Sequence, residues 1–208
     1  MYKALIVDDH PFIRASVKVL LKQERFDTVA EACNGAEALQ MAKVYLPDLV
    51  VLDITMPGLD GIEVIQRLRE QLIPSRVLVL TSQPPEYFSN RCFKAGAKGY
   101  VCKSDRLHEL SKAIGAIMSG YNYFPDVDFA SVYKGDRSAT EGDMISRLTA
   151  REMLVLQLLA RGLRNQEVAE HMLISFKTVS TYKLRIMYKL KVRTLVELAD
   201  LAKRHGLV

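Results

Sequence analysis

Five short runs of consecutive apolar residues punctuate the first 120 residues of the chain. Between them, apolar residues recur every three or four positions, as they do over 13–21 and 62–72. Continuous apolar runs are typical of strands buried on both faces, and the intervening period is typical of amphipathic helices. The alternation predicts a doubly wound α/β domain around a five-stranded parallel sheet. The predicted strands cover 4–7, 28–30, 49–52, 77–80 and 100–102.

The pattern changes after residue 120. Residues 121–145 lack a sustained period and are rich in Asp, Ser, Gly and Thr, which predicts a linker. We expect its aromatic residues Tyr121, Tyr123 and Phe124 to pack on the last helix of the first domain. Residues 146–208 return to a helical period and predict a compact all-α domain of four helices. These helices are expected over 149–161, 165–172, 175–190 and 194–204.

Charge divides the chain in the same way. The net charge of +5 is distributed as +1 over 1–120, −3 over 121–145 and +7 over 146–208. A small basic domain is typical of proteins that bind nucleic acid. No apolar run reaches the length of a membrane span, so we expect a cytoplasmic protein without a membrane partner. Three cysteines and four histidines without paired spacing disfavour a zinc site or a disulfide framework.

Polar residues follow the predicted strands of the first domain, at the edge where parallel sheets bind ligands. Asp8 and Asp9 follow the first strand, Asp53 the third, Thr81 the fourth and Lys103 the fifth. Three converging carboxylates would repel one another unless a cation joined them, and oxygen ligands suit Mg²⁺. Lys103 and Thr81 would bind oxygens of a phosphoryl group that Asp53 accepts as a nucleophile. Solvated loops alone also place acids and lysines at strand ends, but five such residues together favour a site.

Two other classes of phosphate-handling protein fit these residues poorly. Aspartyl phosphatases of the haloacid dehalogenase type need a second acid two residues after the nucleophile, and Thr55 occupies that position. Nucleotide hydrolases of the P-loop type need a G-x-x-x-x-G-K-[ST] segment, which the sequence lacks. We therefore expect the chain to accept a phosphoryl group without being a turnover enzyme.

The first domain resembles the receiver domain of two-component response regulators. The matching stretches 7–11, 52–61, 80–82 and 95–103 span nearly all of residues 1–120. The resemblance implies that Asp53 receives its phosphoryl group from a sensor histidine kinase or its phosphotransfer domain. It also implies that Thr81 and Tyr100 rearrange afterwards. The implied cofactor is Mg²⁺, held by Asp8, Asp9, Asp53 and the backbone carbonyl of Thr55.

The second domain contains two helices joined by a tight turn over residues 165–190. Ser175 is expected to cap the second helix, whose Val179, Tyr182, Ile186 and Leu190 form an apolar stripe for the core. The opposite side carries small hydroxyl and basic residues that suit the major groove of double-stranded DNA. A helix in a bundle or a protein-binding face is the alternative. The candidate DNA contacts are Lys177, Thr178, Ser180, Thr181, Lys183 and Arg185.

This domain resembles the LuxR-type helix-turn-helix domain of the NarL/FixJ response regulators. The matching stretches are 148–152, 159–162, 165–169 and 175–182, and the segments 120–125 and 177–183 resemble the Bvg/Evg subgroup. The resemblance implies a homodimer on promoter half-sites and contact with RNA polymerase. The expected dimer contacts on the last helix are Leu195, Leu198 and Ala202.

The sequence therefore predicts a phosphorylation-controlled, sequence-specific DNA-binding transcription regulator. Its predicted parts are a receiver over 1–120, a linker over 121–145 and a DNA-binding domain over 146–208. Two alternatives remain open at this point. One is a DNA-binding regulator whose receiver acts without phosphorylation, and the other is a phosphorelay protein that does not bind DNA.

Overall fold

The computed structural model of the chain describes residues 2–105, 107–125 and 140–208. The chain divides into two compact units, Met1–Asp128 and Phe129–Val208. Among the described residues, no helix combines the length and the apolar character that crossing a membrane requires.

The first unit alternates strands with helices along its whole length, as the sequence predicts. Its elements are β1 Tyr2–Val7, α1 Pro11–Gln23, β2 Phe26–Ala32, α2 Gly35–Tyr45, β3 Leu49–Leu52, α3 Gly61–Glu70, β4 Arg76–Thr81, α4 Pro85–Ala95, β5 Gly99–Cys102 and α5 Leu107–Met118. The five strands form one parallel sheet in the order β2-β1-β3-β4-β5. The predicted doubly wound fold is therefore confirmed.

The sheet is covered on both faces because its central strands β1, β3 and β4 are apolar along most of their length. On one face, alternate strand residues such as Ile6, Val51 and Leu80 share a hydrophobic cluster with α1 and α5. Residues of the opposite parity, such as Val50 and Val79, are equally buried on the other face, where α2 contacts β1 and α4 contacts β5. On the central strands polar side chains therefore gather at the ends, whereas the edge strand β2 carries Asp27 and Glu31 along its length.

The chain leaves α5 along the free edge of β5. The Tyr123 amide donates to the Lys98 carbonyl at 2.9 Å, and the Tyr100 amide donates to the Tyr123 carbonyl at 2.8 Å. The Tyr123 ring packs against the hydrophobic cluster, and its hydroxyl donates to the Glu109 carboxylate on α5. Tyr123 thus acts as a short extra strand residue that covers the edge of the sheet.

The three aromatic residues after α5 have three different environments. Only Tyr123 packs on α5 as predicted. Phe124 instead meets Phe93 of α4 edge to face, with ring centroids 5.4 Å apart, and Tyr121 is 72% exposed. The prediction is wrong for Phe124 because pairing with β5 turns adjacent side chains to opposite sides of the extended chain. It is wrong for Tyr121 because most of that side chain lies in solvent.

The second unit is helical throughout its described part. Its elements are α6 Glu141–Ser146, α7 Ala150–Ala160, α8 Asn165–His171, α9 Phe176–Leu190 and α10 Leu195–Arg204. The four predicted helices are present, and α6 is additional. Thr140 and Asp143 close a capping box at the start of α6, but its six residues are too few to display a helical period in the sequence.

The ends of the segment predicted as a linker belong to the two units. Residues 121–125 continue the first unit along β5, and residues 141–145 lie in α6 of the second. Residues 126–139, the middle of the predicted linker, lie outside the described residues.

An ion pair between a buried glutamate and a half-buried lysine connects α7 with α9. Glu152 is 3% exposed and forms a capping box with Thr149 at the start of α7. The Lys189 ammonium of α9 lies 2.6 Å from the Glu152 carboxylate. The cap and the ion pair both stabilise the charged carboxylate, which would otherwise be costly to bury.

Gly99 is the position where an added methyl group should most disturb the first unit. In Gly99→Ala, the new Cβ would lie 2.6 Å from Ile117 Cδ1 and 2.9 Å from both Leu78 Cδ1 and the Tyr123 carbonyl oxygen. We expect the free energy of unfolding, measured by urea denaturation, to fall by about 1–3 kcal/mol because of this overpacking.

The matched control is Gly115→Ala on α5. A Cβ at Gly115 meets no described atom within 4 Å, so helix propensity alone should raise stability by about 0.5–1 kcal/mol. Equal effects of the two substitutions would contradict the close packing at Gly99.

Candidate functional site

Two carboxylates meet at the switch point of the sheet, where the order of the strands reverses between β1 and β3. Asp8 directly follows β1, Asp53 directly follows β3, and these strands are neighbours at the sheet's switch point. The Asp53 amide donates to the Val7 carbonyl at 2.9 Å, and the Asp8 amide donates to the Ala32 carbonyl at 3.1 Å. These bonds fix both residues, and only 2% of Asp8 and 3% of Asp53 is exposed.

Lys103, which follows β5, joins the two carboxylates. Its ammonium lies 2.7 Å from Asp8 Oδ2 and 2.7 Å from Asp53 Oδ2. Burial alone would lower the pKa of Lys103, but the two carboxylates outweigh burial and raise it, so the ammonium stays charged. Burial raises the pKa of Asp8, and Lys103 offsets only part of that effect. The site thus sets two buried carboxylates against one ammonium.

Asp9 and His10 extend this site toward solvent. One ligand atom from each of Asp8, Asp9, His10 and Asp53 lies within 4.8 Å of the others. Asp9 Oδ1 is buried and accepts no hydrogen bond from the described residues, although His10 Nδ1 lies 2.8 Å away. An oxygen-rich set with one unsatisfied buried oxygen fits a hard divalent cation.

A chain of polar contacts runs from Asp53 to Tyr100. The Thr55 amide donates to Asp53 Oδ1 at 3.0 Å, and the hydroxyl oxygens of Thr55 and Thr81 are 3.3 Å apart. The Gln83 amide donates to Thr81 Oγ1 at 3.4 Å, and the Tyr100 hydroxyl donates to the Gln83 carbonyl at 2.8 Å. Burial raises the pKa of Tyr100, so its hydroxyl remains a neutral donor. The structure thus brings all the predicted receiver residues into one connected site.

His10 and Gln83 belong to this site but were not among the residues predicted from the sequence. The sequence does contain a signal for His10, because it directly follows the acid pair Asp8-Asp9. No such signal exists for Gln83, which is 1% exposed and whose side-chain amide has no partner among the described residues. Its burial depends on how β4, α4 and β5 pack together.

The second unit presents α9 as its basic helix. The Ser175 hydroxyl caps it by accepting from the Thr178 amide at 3.1 Å, as predicted. Val179, Ile186 and Leu190 are buried, and Tyr182 is half-buried, so this stripe holds α9 in the domain. The α9 sequence contains four Lys and Arg residues and no acid.

The candidate DNA contacts on α9 differ in accessibility. Lys177, Thr181 and Arg185 are exposed, whereas Thr178, Ser180 and Lys183 are half-buried. Two of the hydroxyls are already used within the helix: Ser180 Oγ donates to the Phe176 carbonyl at 3.1 Å, and Thr181 Oγ1 donates to the Lys177 carbonyl at 3.0 Å.

The structure corrects the predicted dimer contacts on α10. Leu198 and Ala202 are fully buried inside their own unit, where α10 packs against α7, and so they cannot contact a second copy. Leu195 is 38% exposed and remains accessible. The prediction failed for Leu198 and Ala202 because a stripe at helical spacing indicates an apolar face without saying what covers it.

Two family models match the chain. Residues 4–115 match the response regulator receiver domain, and residues 146–202 match the luxR family of bacterial regulatory proteins. An acidic receiver site followed by a separate basic helix-turn-helix unit defines the class of response regulators. The chain belongs to this class, within the group that carries a LuxR-type DNA-binding domain, and it is a transcription regulator. The sequence-based predictions of family, fold class and function are confirmed.

Individual relatives match along nearly the whole chain. BvgA of Bordetella pertussis, a positive transcription regulator of virulence factors, is 50% identical over 205 residues, covering 99% of this chain and 98% of BvgA. EvgA of Escherichia coli K12, a DNA-binding transcriptional activator, is 33% identical and covers 97% of this chain and 98% of EvgA. RcsB of Salmonella enterica serovar Typhimurium, solved bound to promoter rprA with the phosphomimetic BeF3⁻, has 25% identity and a TM-score of 0.61, and covers 98% of this chain and 99% of RcsB.

The buried hydrogen bond of Tyr100 gives a test of the site's stability. Tyr100→Phe removes the donor and leaves the Gln83 carbonyl without it, so we expect the free energy of unfolding to fall by about 1–3 kcal/mol. The control is Tyr121→Phe, because Tyr121 is 72% exposed and its hydroxyl is solvated. Urea denaturation of both variants would contradict this account if Tyr100→Phe were as stable as the control.

Proposed function

We propose that phosphorylation of Asp53 controls the binding of this regulator to promoter DNA. The observation that carries the proposal is the buried Asp8-Lys103-Asp53 group at the switch point of the sheet. A carboxylate that is buried beside a fixed ammonium and near a threonine hydroxyl is equipped to accept a phosphoryl group.

Asp53 acts as the nucleophile in the proposed transfer. One of its carboxylate oxygens forms the new bond to phosphorus, and the bond from phosphorus to the donor breaks. The donor is the phosphohistidine of a sensor histidine kinase or its phosphotransfer domain, and the imidazole leaves with the bonding electron pair. Lys103 and the Thr81 hydroxyl then bind the phosphoryl oxygens, so Lys103 exchanges a carboxylate partner for a phosphoryl partner.

Mg²⁺ is the proposed cofactor of this site. Its proposed ligands are Asp8, Asp9, Asp53 and the backbone carbonyl of Thr55, a set consisting of oxygens only. When bound, the ion supplies positive charge that offsets the charge of the carboxylates and of the incoming phosphoryl group. The buried, unbonded Asp9 Oδ1 supports this assignment.

Tyr100 is the proposed route from the phosphoryl site to the rest of the chain. Its hydroxyl reaches Gln83, which in turn contacts Thr81, and its amide is bonded to Tyr123. A movement of Thr81 toward a phosphoryl group would weaken the hydrogen bond between the Gln83 amide and the Thr81 hydroxyl. The proposed output is a changed position of Tyr100 and of the segment that follows α5.

The proposed output target is double-stranded DNA in the cytoplasm. The +7 charge of residues 146–208 and the acid-free helix α9 support this target. We further propose that two copies bind neighbouring half-sites and contact RNA polymerase, with 1–120 as receiver, 146–208 as DNA-binding domain and the chain between them as connection. The proposed DNA contacts are Lys177, Thr178, Ser180, Thr181, Lys183 and Arg185.

Intact mass spectrometry tests the phosphoryl acceptor. Incubation with acetyl phosphate and Mg²⁺ should add about 80 Da to the chain, and Asp53→Asn should lose this adduct because an amide is a poor nucleophile. Asp48→Asn is the control, since this carboxylate lies at the opposite end of β3 and should leave the adduct unchanged. An adduct that survives in Asp53→Asn would overturn the assignment, and no adduct in any protein would favour a phosphorylation-independent receiver.

Lys177 gives the corresponding test in the DNA-binding domain. Lys177→Ala should weaken binding to a duplex selected from a random pool by about tenfold, and binding to unselected DNA by less, because a base contact is lost. The control is Lys203→Ala on α10, another exposed lysine. Gel shifts at several salt concentrations would measure both losses. Equal losses on selected and unselected DNA would reassign Lys177 to a phosphate contact.

A further inference from the structure

One exposed face of α9 combines a cation with large apolar side chains. Its residues are spaced four, three and four positions apart, which places them on one side of the helix. They are Lys177, Thr181, Leu184 and Tyr188. Leu184 is 70% exposed and Tyr188 is 87% exposed, whereas the other aliphatic residues Val179, Ile186 and Leu190 are buried. We call this surface the reading face.

The Thr181 hydroxyl on the reading face is already engaged. Thr181 Oγ1 donates its proton to the Lys177 carbonyl at 3.0 Å, so that proton is not available to a base. Next to Lys177, the centre of the face therefore offers mainly apolar groups, the methyl of Thr181 and the isobutyl group of Leu184. In the major groove, the partner for such groups is the 5-methyl group of thymine.

A single exposed leucine is common on protein surfaces and carries no function by itself. Leu184 differs because of its surroundings: it lies between exposed cations, Lys177 two turns before it and Arg185 next to it. The α9 sequence has no acidic residue, and the block 146–208 carries a net charge of +7. This charge complements a polyanion, so DNA is the occupant that fits this apolar face.

We propose that Leu184 is a specificity-determining residue that contacts a thymine 5-methyl group in the major groove. The proposal rests on the DNA-binding function proposed above and adds to it a base preference and the residue that causes it. Leu184 contributes no hydrogen bond, so it distinguishes thymine from bases without a methyl group at that position. The positive charges of Lys177 and Arg185 favour placement of the helix in the groove, and Leu184 adds the preference for thymine to the base contact proposed for Lys177.

The test uses deoxyuridine, which differs from thymidine only by the missing methyl group. The probe is a duplex that the wild-type chain selects from a random pool, in which each thymine is replaced by uracil in turn. Wild type should bind about fourfold more weakly when one particular thymine loses its methyl group, as expected for one methyl removed from an apolar contact. Leu184→Ala should bind the thymine and uracil duplexes equally at that position.

Leu72→Ala is the matched control, because Leu72 is 87% exposed and lies in the first unit. It should keep the wild-type discrimination between thymine and uracil. The proposal is overturned if Leu184→Ala keeps that discrimination, or if wild type shows none at any position. Thermal unfolding of Leu184→Ala should match wild type, since the side chain is largely in solvent.

Two further outcomes separate this proposal from its alternatives. If Leu184→Ala changes sedimentation without DNA and leaves the thymine discrimination intact, the face binds a second copy and the proposal is overturned. If wild type incubated with acetyl phosphate and Mg²⁺ enriches no duplex from the pool, the DNA-binding function and the role of Leu184 are both overturned. If wild type selects a duplex but binds its thymine and uracil forms equally at every position, only the role of Leu184 is overturned.

Discussion

The receiver unit depends on one electrostatic constraint: two buried carboxylates need a buried cation. Asp8 and Asp53 are almost fully removed from water, and the Lys103 ammonium lies 2.7 Å from both. Without it, two carboxylates would be buried side by side with no compensating charge, which is costly. The ends of β1, β3 and β5 must therefore stay in register, so the chemistry of the site and the topology of the sheet require each other.

The same constraint makes the site responsive. Lys103 balances two negative groups in the resting arrangement, and a phosphoryl group on Asp53 would add charge that the described residues must redistribute. Thr81, Gln83 and Tyr100 form the next layer of contacts, and a series of hydrogen bonds links them to one another and to Thr55. The Tyr100 amide also donates a hydrogen bond to the Tyr123 carbonyl. A change in the position of Tyr100 would therefore act directly on the segment that follows α5.

The helical unit solves a different problem, which is to expose a cationic helix while keeping it folded. Three aliphatic residues bury one side of α9, and the Lys189 ion pair with Glu152 ties its C-terminal half to α7. Arg185 and the reading face are left to solvent, and Lys183 is half-buried. Burial of the apolar side stabilises α9 in the unit, and the exposed side can therefore carry side chains that suit contact with DNA.

The sequence by itself determined the elements and most of the site. Apolar runs specify the strands, a parallel sheet has its ligand site at the strand ends, and Asp8, Asp53 and Lys103 occupy those ends. Such inferences succeed because they rest on local period and on topology, both of which are encoded in the order of residues along the chain.

Only the tertiary structure decided which surfaces are covered. Leu198 and Ala202 have the same helical spacing whether they face a core or a partner, and the packing of α10 on α7 assigns them to the core. Gln83 becomes part of the site because α4 and β5 enclose it, and Phe124 reaches α4 because Tyr123 pairs with β5. Burial is a relation between distant segments, and a local pattern contains no information about which segments meet.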